Sequence, residues 1–219
     1  MNKNIFRKVS VLLVTVTLLV TLTGCFNFLS KKEKAAVQAF SVVLEKFPAV
    51  SYDGWYHLTA PDGDAKFIFS NDCVWLAIDA TPFIEAGLDT STLKEVYETV
   101  FYEQDLGFSL PGWDMLNQNV KDTALAQFEA DIRYCHIVET DTTYKINFTD
   151  NQNNPNVTAF EWVKSPDSDL RAFIFTLKAE PLISAGVNPD KLVAWDYVES
   201  ADGSKSFQKV IYWSQALQE

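Results

Sequence analysis

A chain of 219 residues with 18 Lys and Arg against 29 Asp and Glu, a formal net charge of −11, is a poor partner for nucleic acid, whose phosphates reward Lys and Arg. Three cysteines and two histidines, with no Cys-x-x-Cys pair and no ligand pair at i,i+4, do not form a metal-binding pattern. No Gly-x-Ser-x-Gly elbow and no His-Glu-x-x-His helix is present either, so the common catalytic signatures are missing.

From the N-terminus, Lys3, Arg7 and Lys8 lead into a run of mostly aliphatic residues, Val9 to Thr23. That run is shorter than the roughly 20 apolar residues that cross a bilayer. It stops at Leu22-Thr23-Gly24-Cys25: a hydrophobe, two small residues, then Cys. This resembles the lipobox of bacterial lipoprotein precursors. The resemblance implies that residues 1–24 are a signal peptide, that Cys25 receives a diacylglyceryl group and becomes the acylated N-terminus, and that the mature chain sits outside the cytoplasm on a membrane anchor. Two or three acyl chains, each contributing about 0.8 kcal/mol per buried methylene, suffice for stable attachment. Because the first 24 residues hold three basic residues and no acid, the remaining 195 carry a net charge of −14.

Residues 25–29 form a short link that, at about 3.5 Å per residue, keeps the folded domain within roughly 20 Å of the headgroups. Ser30-Lys31-Lys32-Glu33 has the form of a capping box. Lys31, Lys32 and Lys34 read first as a solvated helix start and second as a contact with anionic lipid. The spacing of Ala36, Phe40, Val43 and Phe47 predicts a helix over residues 31–46, ended by Pro48. Strands are expected at 55–60, 65–69, 74–80 and, as one segment, 100–109, with Asp62-Gly63 as the first turn. A second helix is expected over 122–133, then strands at 136–149, 157–163, 171–179, 194–200 and 206–213, with a turn at Asp202-Gly203.

An internal repeat organises these elements. Ala80 to Leu93 aligns with Ala179 to Leu192 at an offset of 99, with six of fourteen positions identical. Pro82 and Pro181 suit the first position of a short helical turn, and Gly87 and Gly186 suit its left-handed stop. Asp89 and Asn188 can cap a second short helix. Upstream, Val74, Leu76 and Ile78 match Phe173, Phe175 and Leu177 as one buried strand face. The expected fold is α+β, in two similar halves at 30–117 and 118–219. Each half is a helix plus a mostly antiparallel sheet, and the two pack as one pseudo-symmetric unit.

The matched punctuation reads as scaffold rather than site. Cys73 and Cys135 are open to a disulfide or to burial as free thiols. Paired acids at Asp62 and Asp64, or Asp167 and Asp169, can be drawn as acid/base or Ca²⁺ pairs but read better as turn residues. Trp113, in the turn-like Leu110-Pro111-Gly112-Trp113-Asp114, and Trp75, on the strand face shared with Asp79, are the candidate ligand-contacting aromatics. The favoured reading is a non-enzymatic, lipid-anchored module that needs no cofactor or metal and binds an envelope ligand. The alternatives are a regulatory or assembly lipoprotein that binds a protein partner, and a cell-wall or carbohydrate hydrolase using a carboxylate pair.

Overall fold

The computed structural model describes residues 29–71, 73–92, 100–102, 104–110, 119–148, 158–167 and 170–216. Helix α1 (Lys31–Lys46) buries Ala36, Phe40 and Val43 on one stripe, as a 3.6-residue period requires. A hairpin follows, β1 (Val50–Tyr52) and β2 (Trp55–Thr59), of which the strand spacing predicts only the second strand. Asp53 and Gly54 both have positive φ, 47° and 83°, as a two-residue hairpin turn of matching twist demands. Strands β3 (Ala65–Phe69) and β4 (Val74–Asp79) continue the antiparallel meander. After the one-turn helix α2 (Thr81–Glu85) and a 3₁₀ turn at Thr90–Thr92, β5 (Val100–Tyr102) and β6 (Asp105–Ser109) complete a sheet of order β1-β2-β3-β4-β6-β5.

The second half repeats this plan. It comprises α3 (Ala124–Asp131), β7 (Ile137–Glu139), β8 (Thr143–Asn147), β9 (Ala159–Val163), β10 (Arg171–Lys178), α4 (Ala179–Ser184), a 3₁₀ turn at Pro189–Lys191, β11 (Asp196–Glu199) and β12 (Lys205–Tyr212). Its sheet order, β7-β8-β9-β10-β12-β11, is the first sheet's order again. Strand registers extend the equivalence beyond the shared sequence block. Tyr56 opposite Phe69 corresponds to Tyr144 opposite Trp162, and Leu76 opposite Phe108 corresponds to Phe175 opposite Lys209. The offset grows along the chain because the links 148–158 and 164–170 are longer than their counterparts 60–64 and 70–73.

Two expected strands are hairpins instead. The segment 100–109 folds back between Tyr102 and Asp105, and 136–149 folds back between Glu139 and Thr143. The second turn is built from threonine: Thr140 Oγ1 accepts from the backbone N–H of Thr142 and Thr143 at 3.3 and 2.9 Å. Threonine is β-branched, so a run of it reads as strand until its hydroxyl takes over the backbone donors.

The halves share one core. Helix α1 lies against α3 and against β9 of the second sheet, while α3 lies against β3 of the first. Each helix is thus seated on a strand of the other half. Phe40 and its counterpart Phe128 meet at 4.0 Å between ring centroids, and Phe67 stacks on its counterpart Phe160 at 4.2 Å and 3°. Trp162 Nε1 donates to Ala36 O across the halves at 2.9 Å.

At the repeat block, Gly87 and Gly186 adopt φ of 109° and 103° and close helices α2 and α4 with paired hydrogen bonds. Gly87 N donates to Ile84 O and Leu88 N to Phe83 O; Gly186 N donates to Ile183 O and Val187 N to Leu182 O. Pro82 and Pro181 fall at the second and third positions of their helices rather than the first, still within the first turn, where a missing N–H costs nothing. Asn188 Oδ1 accepts from Asp190 N at 3.0 Å, and Asp89 Oδ1 accepts from Ser91 N at 3.0 Å. The two blocks also touch. Asp89 N donates to Ala185 O at 2.7 Å and Asn188 N to Ala86 O at 2.9 Å, a reciprocal exchange that marks the local two-fold axis.

Candidate functional site

A cleft of about 370 Å³ opens where the end of α1 meets the first hairpin. Phe47 and Pro48 form part of its wall with Val50 of β1, Ala60 and Pro61, so the lining is largely apolar. Lys46, His57, Thr59, Asp62 and Gln215 supply its polar groups. The helix end is where it is because Pro48 cannot continue α1, and Phe47 N closes the last turn on Val43 O at 2.8 Å.

The polar groups divide into two sets. Asp62 is engaged: its carboxylate lies 2.5 Å from Lys209 Nζ, which also donates to Asp64 at 2.9 Å. Lys209 sits on the inward face of β12 between Phe207 and Ile211, with only 5% of its side chain exposed, and its ammonium lies 5.7 Å from the centre of the Trp195 ring. A lysine held this way is tolerated because both acids and the Ala194 carbonyl surround it. Lys46, His57 and Thr59, by contrast, make no side-chain hydrogen bond or ion pair to any described residue. His57 is half-buried beside the Tyr52 ring, 5.1 Å between centroids, and burial, with the Lys66 charge second, pushes its pKa below the ordinary histidine value.

The residues singled out in the sequence fall elsewhere. Trp75 is half-buried on the face opposite the core, edge-on to Trp55 at 6.0 Å, and its buried indole N–H has no partner. It does not line the cleft. Trp113, Asp169 and the N-terminal segment with Cys25 lie outside the described residues. Asp62 and Asp64 converge on one ammonium, so this pair is a structural clamp in the fold. Cys73 and Cys135 are buried and form no disulfide; burial, with Asp131 nearby, pushes the Cys135 pKa strongly upward, which leaves it unreactive. Among the described residues, no group of three or more His, Cys, Asp or Glu is placed to hold a metal ion, and no helix is long and apolar enough to cross a membrane.

Sequence reasoning passed over Lys46, His57 and Thr59. Their cleft depends on the β1–β2 hairpin, for which Asp53-Gly54 was the available signal.

No protein-family model, no curated protein and no solved structure matches this chain.

Proposed function

We propose that this chain is a lipid-anchored, extracytoplasmic binding protein, held at the cell-envelope surface through Cys25, with its ligand site in the cleft at the end of α1. The anchor rests on the apolar run that ends at Leu22-Thr23-Gly24-Cys25. The observation that supports the site is the convergence of three unpartnered polar side chains, Lys46, His57 and Thr59, on one largely apolar cleft. Concave, apolar sites with a few free polar groups are where small ligands are held and oriented.

A protein-partner reading draws on a separate observation. Leu170 and Val193 are 74% and 77% exposed, and Leu170 and Ala194 hold positive φ of 62° and 73°, an unfavourable way to present apolar side chains to water.

Replacing the anchor cysteine tests the localisation. In Cys25→Ser the protein should remain as the uncut precursor and incorporate no labelled fatty acid, read by gel mobility and metabolic labelling. A processed, acylated Cys25→Ser product would overturn the anchor.

A further inference from the structure

We infer that the cleft takes a small organic anion, a carboxylate or phosphate carried on an apolar body. This rests on the proposed cleft site and names its ligand class. Two features set the sign of the charge. The acid on the cleft wall, Asp62, is already held by Lys209, whereas the Lys46 ammonium is free and Thr59 can donate its hydroxyl. Gln215 adds a donor, since its Oε1 accepts from Tyr212 N while its Nε2 is left over. The unpartnered groups around the cleft are therefore mainly donors, in a chain whose overall charge is strongly negative. Phe47, Pro48, Val50 and Pro61 line the remainder and suit an aryl or alkyl body rather than a sugar or an inorganic ion.

His57 makes the binding pH-dependent. The groups facing it are Tyr52 on β1, Lys66 on β3 and, around the cleft, Lys46 and Asp62. Burial first, and the Lys66 charge second, disfavour its protonated form, and a bound anion offsets both. Anion binding then takes up a proton at the imidazole, so affinity rises as pH falls towards the histidine's depressed pKa.

The test compares benzoate, benzyl alcohol and benzylamine, one ring with three head groups, against the full chain in detergent micelles with empty micelles as the blank. Binding is read by ligand-observed NMR titration in every variant, and shifts of the His57 ring protons, where that residue is present, locate the ligand in the cleft. The expected result is saturable benzoate binding at least fivefold tighter than either other probe, weakened at least fivefold by Lys46→Gln, and tightening between about pH 7.5 and 5.5 in the wild type but not in His57→Gln. Phenyl phosphate in place of benzoate distinguishes the two anion classes. Preference for benzylamine or benzyl alcohol, with the His57 signals moving, would overturn the anion assignment and leave the cleft as a binding site. Failure of every probe to move the His57 signals would overturn both.

Discussion

Gly87 and Gly186 are glycine for two separable reasons. Each needs positive φ, and each also lies where a Cβ would come within 2.7 Å (Gly87) or 2.6 Å (Gly186) of the other's carbonyl oxygen. Gly203 needs positive φ, 81°, but a Cβ there would meet open space. Gly203→Ala should therefore cost only the left-handed backbone penalty, about 1 kcal/mol. Gly87→Ala and Gly186→Ala should each cost at least about 2 kcal/mol, because the opposing atom is main chain and cannot swing away. Thermal melting separates the cases at roughly 2–4 °C per kcal/mol for a protein of this size, and equal shifts at the three sites would contradict the close approach. The sequence disclosed the left-handed requirement, through a Gly following a helical turn in both copies. It could not disclose that the two glycines face each other, because their contact joins residues 99 apart and leaves no local mark.

Among the elements, the two longer helices were legible from their apolar spacing, and most strands from alternation. What could not be read was which sheet each helix covers. Ala36, Phe40 and Val43 specify a buried stripe but not its partner, and the stripe is seated between α3 and the opposite half's β9. Phe40 consequently touches both sheets, meeting Phe67 and Phe69 of β3 as well as Phe160 and Trp162 of β9, and it meets Phe128 of α3. Phe40→Ala should remove about 3–5 kcal/mol, measured by denaturant unfolding. The loss should appear in one transition that far-ultraviolet circular dichroism and tryptophan fluorescence report at the same midpoint. Two separated midpoints would mean that each half keeps a core of its own. The cleft was illegible for a related reason: Lys46 ends a helix, His57 lies within a strand and Gln215 lies in the last 3₁₀ turn, and their meeting depends on the β1–β2 hairpin and on the packing of both halves.

Across the whole molecule, Lys209 is the point where the two halves depart from equivalence while remaining tied together. Its counterpart Phe108 occupies the same register position in the first sheet and is an ordinary buried aromatic. In the second sheet the lysine reaches the Asp62-Gly63-Asp64 turn of the first half. Lys209→Met leaves two close acids without their cation and should destabilise by about 2–4 kcal/mol, less than a fully buried pair would, since Asp62 is half exposed. An unchanged unfolding midpoint would show that the clamp contributes nothing.

The two-fold arrangement around Gly87 and Gly186 also has a genetic side. In a homodimer every substitution is written twice, so a lysine placed in the core of one subunit appears in the other and must find acids in both. Here the two copies are encoded separately along one chain, and a change on one side of the axis leaves the other untouched. A buried charge could arise at position 209 while position 108 stayed aromatic, and positions 46, 57 and 59 could change one by one without a matching change in the second half.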